Sequence, residues 1–271
     1  MAIRTAAGFV LLAITFSVIF FAPVWAFPIA VSLISAFAVL EILHSTGFIR
    51  KKLLLAYAVI ISALIPIWVF FDEIPEFATL GLFLFVFLLF IDCLTESQES
   101  AFERISGIFF SSTVIPFFLS STVRLFDMEN GRVLVLIPII SAFGSDVFAY
   151  LVGGWLGKNK LCPQISPNKT VEGSIGGLLM APVVTVLYGV LLQYAFHYQV
   201  NYIGMVLYGL AGAFAGQVGD LAMSYVKRQF HIKDFGNVIP GHGGILDRFD
   251  SVLFAAPLTE ILILILPAVA G

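Results

Sequence analysis

The run KKLLLAYAVIISALIPIWVFF, residues 51–71, begins with two lysines and then continues for 19 residues without a charge. A helix needs about 20 mostly apolar residues to cross the hydrocarbon core of a bilayer. The run is continuously apolar and lacks the alternation of polar and apolar residues that marks a strand of a membrane barrel. It therefore predicts a transmembrane helix.

The same pattern recurs along the chain and predicts nine membrane spans, at 5–23, 26–44, 51–71, 76–95, 104–125, 132–157, 173–196, 202–227 and 245–268. Of the 271 residues, 60% are hydrophobic and 11% are charged, and the mean hydropathy is +1.03. A soluble domain carries about 25% charged residues. The predicted fold is all-α, a polytopic membrane protein with about nine transmembrane helices. We expect one integral membrane domain, 1–271, with hydrophobic spans in 1–130 and the polar spans and loops in 131–271.

The first span is predicted to be retained, because it is long for the apolar region of a signal peptide and Trp25 is a bulky neighbour for a cleavage site. Lysine and arginine set the orientation of the spans. A cytoplasmic N-terminus and an outside C-terminus leave only Arg124 and Arg132 outside. The residues then placed inside are Arg4, Arg50, Lys51, Lys52, Arg104, Lys158, Lys160, Lys169, Lys227, Arg228, Lys233 and Arg248.

Three acids in predicted spans look misplaced, and they are Asp146, Asp220 and Glu260. An ionisable group in a span costs several kcal/mol unless it is paired or solvated, so such a residue indicates a functional site. The alternative is a hydrogen bond between helices or a position near a span end, and this alternative is favoured for Glu260. Glu41 and Asp92 sit at span ends and are interpreted as interfacial.

The span 202–227 carries Asp220, Ser224 and Lys227 at positions i, i+4 and i+7, which share one helix face. Small residues on the preceding turns allow close approach of a ligand or, alternatively, of another helix. They are Ala211, Gly212, Ala213, Ala215, Gly216 and Gly219. At the start of the last span, Asp247 and Asp250 lie three residues apart, where the helix dipole also favours acids.

These polar residues favour phosphate chemistry at a membrane surface. Carboxylates without a histidine or cysteine cluster favour Mg²⁺, which is held by one or two carboxylates with waters and substrate phosphates. Gly241, Gly243 and Gly244 precede a helix N-terminus, a typical anion site. Lysine and arginine grip phosphates, and the candidates are Lys169, Lys227, Arg228, Lys233 and Arg248. Together these features predict phosphoryl or nucleotidyl transfer between a lipid and a water-soluble substrate.

Other classes of protein are less consistent with the sequence. The net charge of −3 argues against a nucleic-acid partner. Cys93 and Cys162 are predicted to be free thiols. An ion- or proton-coupled transporter also places acids in spans, but the two halves of the chain look unrelated. Lys51 and Lys52 are interpreted as topology anchors, and His242 either contacts a phosphate or caps the turn.

The run SYVKRQFHIKDFGNVIPGHGGILDRFD, residues 224–250, resembles the signature of the phosphatidate cytidylyltransferase family. Its fixed positions are S-x-x-K-R, K-D, P-x-H-G-G and D-R-x-D, and all are present. SDVFAY at 145–150, Gly157-Lys158 and ISPNKTVEGSIGG at 165–177 also look like motifs of this family.

The resemblance implies an enzyme that joins phosphatidate and CTP into CDP-diacylglycerol and pyrophosphate with Mg²⁺, and in some members a second cation such as K⁺. It implies Asp220 and Asp247 as the metal ligands, with Asp146 and Asp250 as further candidates. Asp146, Lys169, Glu172 and Lys227 would complete the catalytic set. The phosphates of CTP or phosphatidate would contact Ser224, Arg228, Lys233, His242, Gly243, Gly244 and Arg248.

The family further implies a homodimer in the bacterial inner membrane among membrane lipids, with the active site facing the cytoplasm. The expected site is a cleft between the spans 132–157, 202–227 and 245–268. A CDP-alcohol phosphotransferase is the other enzyme considered, but its run of three acids spaced along helices is not found in the sequence.

Overall fold

The computed structural model describes residues 13–49, 51–71, 75–95, 101–238 and 243–270. Helices dominate these ranges, which confirms the all-α prediction. The helices are α1 (13–20), α2 (Ala26–Thr46), α3 (Lys52–Phe70), α4 (Pro75–Thr95), α5 (Ala101–Phe109), α6 (Ile115–Leu119), α7 (Ser121–Asp127), α8 (Gly131–Leu134), α9 (Leu136–Leu156), α10 (Val171–Phe196), α11 (Tyr202–Gln229) and α12 (Leu246–Ile265), and a π-helical turn, Phe110–Val114, joins α5 to α6.

Within the described ranges, six helical stretches are long and apolar enough to cross a membrane. They are Ala26–Thr46, Lys52–Phe70, Phe102–Asp127, Gly131–Leu156, Val171–Phe196 and Tyr202–Gln229, and they coincide with six predicted spans. Helices α4 and α12 also lie at predicted spans but are not among the six. The count of nine spans and the orientation of the termini stay predictions. Residues 5–12, Arg4 and Arg50 lie outside the described ranges.

Two short antiparallel strand pairs accompany the helices. β1 (Lys160–Cys162) pairs with β2 (Ser166–Thr170), and β3 (Gln199–Val200) pairs with β4 (Val269–Ala270). The first pair is a hairpin that lies where the sequence predicted only a loop. The hairpin leads directly into α10, because the Thr170 hydroxyl accepts a hydrogen bond from the backbone N–H of Gly173 at 3.1 Å and caps the helix.

The residues group into two compact units. The first unit comprises Met1–Arg124 and Ile232–Arg248, and the second comprises Leu125–His231 and Phe249–Gly271. The first break falls near the predicted division at residue 130, but Ile232–Arg248 groups with the N-terminal residues. That the whole chain forms one membrane domain stays a prediction.

In the first unit, Asp92 joins the ends of three helices. One carboxylate oxygen pairs with Lys51 Nζ at 2.5 Å and the other with Arg104 Nη2 at 3.1 Å. Asp92 therefore neutralises two of the cations that were assigned to one side of the membrane. The side chain of Cys93 lies outside the described part, while Cys162 of the second unit is a free thiol, as predicted.

In the second unit, α9 and α12 pack closely on the small residues of α11. A Cβ on Gly212 would lie 2.9 Å from the Ser141 Cβ, and one on Gly219 would lie 2.6 Å from the Asp250 carbonyl oxygen. The small residues therefore serve helix packing, one of the two predicted roles. Ala142, Val252, Ala255 and Ala256 form the buried apolar contact beside them.

Candidate active site

Three acids approach one another in the second unit, where α9, α11 and α12 pack together. Asp146, Asp220 and Asp250 come one from each helix, and the charges of Asp146 and Asp250 each interact with that of Asp220. The Ser251 hydroxyl donates to Asp146 Oδ2 at 3.1 Å. We call these three aspartates, with Lys169, Lys227, Ser224 and Ser251, the acid cluster. It lies among the three helices that the sequence predicted to line the cleft.

Asp220 contacts two other members of the acid cluster, Lys169 and Ser224. One carboxylate oxygen forms an ion pair with Lys169 Nζ, and the other accepts a hydrogen bond from Ser224 Oγ at 3.3 Å. The contact with Ser224 confirms that positions 220 and 224 share a helix face. Lys169 comes from β2, so the hairpin brings a cation to an acid that lies within a membrane-spanning helix.

Lys227 and Asp250 form the buried part of the acid cluster. Lys227 is 7% exposed and Asp250 is 8% exposed, and the distance from Nζ to Oδ2 is 4.0 Å. Lys227 is therefore shielded from solvent. Buried charges persist in proteins where they are paired, so the lysine partly balances the negative charge of the cluster.

Gln217 links α11 to α9 and α10, and it was not predicted from the sequence. Its Nε2 donates to Ser145 Oγ at 2.9 Å and to the Ser174 carbonyl at 3.0 Å, while its Oε1 accepts from Ser174 Oγ at 2.5 Å. The signal in the sequence is a glutamine within a span, one turn before Asp220. Because Ser145 adjoins Asp146, this network fixes the spacing between two acid-bearing helices.

Two residues of the family motifs hold the β1–β2 hairpin. The Glu172 carboxylate accepts hydrogen bonds from the backbone N–H groups of Lys158 and Asn159, at 3.1 and 3.2 Å, and from Asn159 Nδ2 at 2.7 Å. Arg228 Nε donates to the Ile165 carbonyl at 3.1 Å. Both contacts orient the hairpin that presents Lys169 to Asp220.

The glycine-rich motif lies in the first unit. We call Ile232–Arg248 the glycine segment, of which residues 239–242 lie outside the described ranges, so the predictions for Gly241 and His242 do as well. Asp247 Oδ2 accepts hydrogen bonds from the backbone N–H groups of Phe235 at 2.9 Å and Gly244 at 3.0 Å. Gly243 has φ +82°, a left-handed conformation that favours glycine.

Glu41, which was interpreted from the sequence as an interfacial residue, contacts the glycine segment. It is buried, and its carboxylate accepts from the backbone N–H groups of Ile245 at 2.9 Å and Leu246 at 3.0 Å. No local pattern signals this contact, since 204 residues separate Glu41 from Ile245.

The two remaining basic candidates, Lys233 and Arg248, are also on the glycine segment. Lys233 is exposed. Arg248 is half-buried, and its Nε is a buried donor without a hydrogen-bond partner among the described residues. A guanidinium donor of this kind is suited to an anion such as phosphate.

The donor set of the acid cluster fits a hard cation. Carboxylate and hydroxyl oxygens are the ligands that Mg²⁺ prefers, and Mg²⁺ is commonly held by only one or two carboxylates. The described residues contain no group of three or more histidine, cysteine, aspartate or glutamate side chains arranged to hold a metal. The arrangement therefore suits a cation whose remaining ligands come from water and substrate.

Comparisons with known proteins agree with the motifs. The family model described as the cytidylyltransferase family matches residues 2–266. A phosphatidate cytidylyltransferase of Bacillus subtilis (strain 168) is 32% identical over 240 residues, covering 85% of this chain and 86% of the relative. The same enzyme of Rickettsia typhi (strain ATCC VR-144 / Wilmington) is 34% identical, covering 74% and 89%. That of Rickettsia bellii (strain RML369-C) is 35% identical, covering 65% and 77%. The resemblance drawn from residues 224–250 is confirmed, and the chain belongs to the cytidylyltransferase family.

Proposed function

We propose that the protein transfers the cytidylyl group of CTP to phosphatidate, giving CDP-diacylglycerol and pyrophosphate, as a step of phospholipid biosynthesis. The observation that carries this is the acid cluster: three aspartates and two lysines gathered among apolar helices. The relatives named phosphatidate cytidylyltransferase support this choice of substrates. The protein is thus a nucleotidyltransferase of the membrane.

The reaction needs little proton chemistry. A non-bridging oxygen of the phosphatidate phosphate forms a bond to the α-phosphorus of CTP, and the bond from that phosphorus to the bridging oxygen of the β-phosphate breaks. Both electrons of the broken bond leave with pyrophosphate. A phosphate monoester is largely ionised at neutral pH because its second pKa is about 6. The enzyme must therefore reduce the repulsion between two anions, and Lys169 and Lys227 supply positive charge for this.

Mg²⁺ is the proposed metal, and it would supply charge neutralisation at the transferring phosphate. From the resemblance to the family, Asp220 and Asp247 are its proposed ligands, with Asp146 and Asp250 as further candidates, and a second cation such as K⁺ is included in the proposal. Asp220 and Asp247 belong to different compact units, and their pairing rests on the sequence motif alone. The contacts of Asp220 with Ser224 and Lys169 support a site rich in oxygen ligands and able to accept a cation.

The membrane arrangement extends this proposal. We place nine spans in a bacterial inner membrane, with the N-terminus and the active site on the cytoplasmic side and the C-terminus outside. The bias of lysine and arginine supports this orientation. A homodimer surrounded by membrane lipids is the proposed assembly. The transporter and CDP-alcohol phosphotransferase alternatives gain no support from the family to which the chain belongs.

The test is an assay of the purified protein in detergent with labelled CTP, phosphatidate and Mg²⁺. We expect pyrophosphate release and labelled CDP-diacylglycerol, both dependent on phosphatidate. Diacylglycerol in place of phosphatidate is the control, because it lacks the attacking phosphate. CTP that remains intact in the presence of phosphatidate would contradict the proposal, and consumption of CDP-diacylglycerol with an alcohol would favour the phosphotransferase.

A further inference from the structure

Glu41 is a buried acid that the reaction as proposed does not use. It lies near the end of α2 and is 6% exposed. Its two oxygens accept hydrogen bonds from successive backbone N–H groups, Oε1 from Ile245 and Oε2 from Leu246. A buried carboxylate is costly unless it is hydrogen-bonded. Both hydrogen bonds come from the backbone at the point where α12 begins.

The glycine segment is shaped to receive this carboxylate. A Cβ on Gly236 would lie 2.6 Å from the Glu41 Cδ, and a Cβ on Gly244 would lie at the same distance from that atom. Any side chain at either position would displace Glu41. The two glycines therefore leave the space that the carboxylate fills, which explains why both positions lack a side chain.

Asp247 is linked to Glu41 through this same piece of backbone. Asp247 Oδ2 accepts from the N–H of Gly244, and Glu41 accepts from the next two N–H groups, those of Ile245 and Leu246. The two carboxylates thus hold three consecutive amides. A shift of the turn that frees Glu41 also moves the amide that fixes the Asp247 side chain.

We propose that Glu41 is a positioning residue, which fixes the turn Gly244–Leu246 and thereby the orientation of the Asp247 carboxylate for catalysis. The inference rests on the proposed function, in which Asp247 is a metal ligand. It assigns a role in the reaction to α2, a helix of the N-terminal half that carries none of the family motifs quoted above. When a residue that fixes the orientation of a metal ligand is replaced, metal affinity or activity typically falls by about 10–100-fold.

The central variant is Glu41→Gln, which keeps the size of the side chain but turns an NH₂ group toward one of the two backbone donors. We expect kcat to fall by about 10–100-fold and the Mg²⁺ concentration for half-maximal activity to rise, with the KM for phosphatidate changed less than about threefold. Hydrogen exchange without Mg²⁺ gives a readout independent of activity. The amides of Ile245 and Leu246 should exchange faster in the variant, while those of α3 keep their protection.

Asp92→Asn is the matched control in the same unit. Asp92 pairs with Lys51 and Arg104, which lie outside the glycine segment, and so supports the fold. We expect a lower Tm with wild-type kcat and Mg²⁺ dependence for each folded molecule. A Glu41→Gln variant that behaves like Asp92→Asn would reduce Glu41 to a structural role and overturn the proposal.

A second pair of variants covers the case in which Glu41→Gln does not fold. Gly244→Ala drives a methyl group onto Glu41, whereas Glu41→Ala removes the obstructing carboxylate. The double variant should therefore lose no more activity than Glu41→Ala alone, a non-additivity expected of residues in direct contact. If the activity losses of the two single variants multiply in the double variant, the contact between Gly244 and Glu41 is contradicted. Wild-type protein that releases no pyrophosphate would instead overturn the proposed function, which separates that failure from a failure of the positioning role.

Discussion

The acid cluster and the glycine segment both carry an aspartate proposed as a metal ligand, but the partners of Asp220 and Asp247 differ in kind. In the acid cluster, Asp220 contacts the side chains of Lys169 and Ser224, and Asp250 lies near Lys227. In the glycine segment, Asp247 contacts backbone amides. Side chains of lysine and serine can change rotamer, whereas the amides move only if the chain moves.

This difference separates two roles that look the same in the sequence. A cation that enters the acid cluster can replace Lys169 and Ser224 as the partner of Asp220, and a phosphate can replace Asp220 as the partner of Lys169, without disturbing the helices. Asp247 and Glu41 instead hold the backbone of a turn, so replacing either also changes the local fold. The acid cluster is therefore the adaptable region, and the glycine segment is the fixed one.

The largest expected effect comes from comparing Asp220→Asn with Asp247→Asn. Both should reduce pyrophosphate release by about 10²–10³-fold, the loss typical of removing one group that stabilises transition-state charge. Only Asp247→Asn should also lower stability, by about 1–3 kcal/mol, because a neutral amide oxygen accepts the two buried N–H groups more weakly than a carboxylate oxygen does. Activity per folded molecule and thermal unfolding in detergent measure the two effects. Equal changes in Tm would remove the distinction between the regions, and near-normal turnover in both would exclude the two residues as metal ligands.

The next largest effect is expected within the acid cluster, where replacing Lys227 should lower stability more than replacing Lys169. Lys227→Met should destabilise the protein by about 3 kcal/mol, because it leaves the charge of Asp250 buried without its cation. Lys169→Met should destabilise it by no more than about 1 kcal/mol, since Lys169 and Asp220 are 28% and 23% exposed and water can replace the partner. Unfolding in urea measures both.

The double variant Lys227→Met/Asp250→Asn tests the cause of the larger effect. It should recover most of the stability lost in Lys227→Met, because no uncompensated charge remains. A double variant as unstable as the single one would show that Lys227 acts through packing of its aliphatic chain and not through its charge.

The sequence predicted those features that depend on local pattern. Continuous apolar runs located the spanning helices, and the spacing of four residues placed Ser224 beside Asp220. The β1–β2 hairpin was not predicted, because Pro167 lies within β2 and neither strand shows an alternation of polar and apolar residues. Its function as the carrier of Lys169 became visible only in the structure.

Contacts between distant parts of the chain account for the rest of what was missed. Glu41 and Gln217 look unremarkable in their own helices, and each acquires its role from partners more than 40 residues away. Periodicity and motif spacing report neighbours along one helix, so they contain no information about such partners. Gly244 was assigned to the approach of an anion, while the structure shows that a carboxylate of the protein itself fills the space beside it.

The smallest expected effect concerns two helical glycines of the second unit, Gly219 and Gly154, which differ in how closely other residues approach them. In the glycine segment the atom that crowds Gly244 belongs to a side chain. At Gly219, a Cβ would instead lie 2.6 Å from the Asp250 backbone carbonyl oxygen and 2.8 Å from the Phe254 ring. Gly219→Ala must therefore separate α11 from α12 and should cost about 1–3 kcal/mol.

Gly154→Ala is the matched control, because a Cβ on Gly154 meets nothing within 4 Å. Alanine is the better helix former, so this change should stabilise the protein by up to about 1 kcal/mol. Unfolding midpoints measured in one detergent decide the outcome. If both variants are stabilised, helix propensity governs the second unit, and the close packing of α11 on α12 contributes little to its stability.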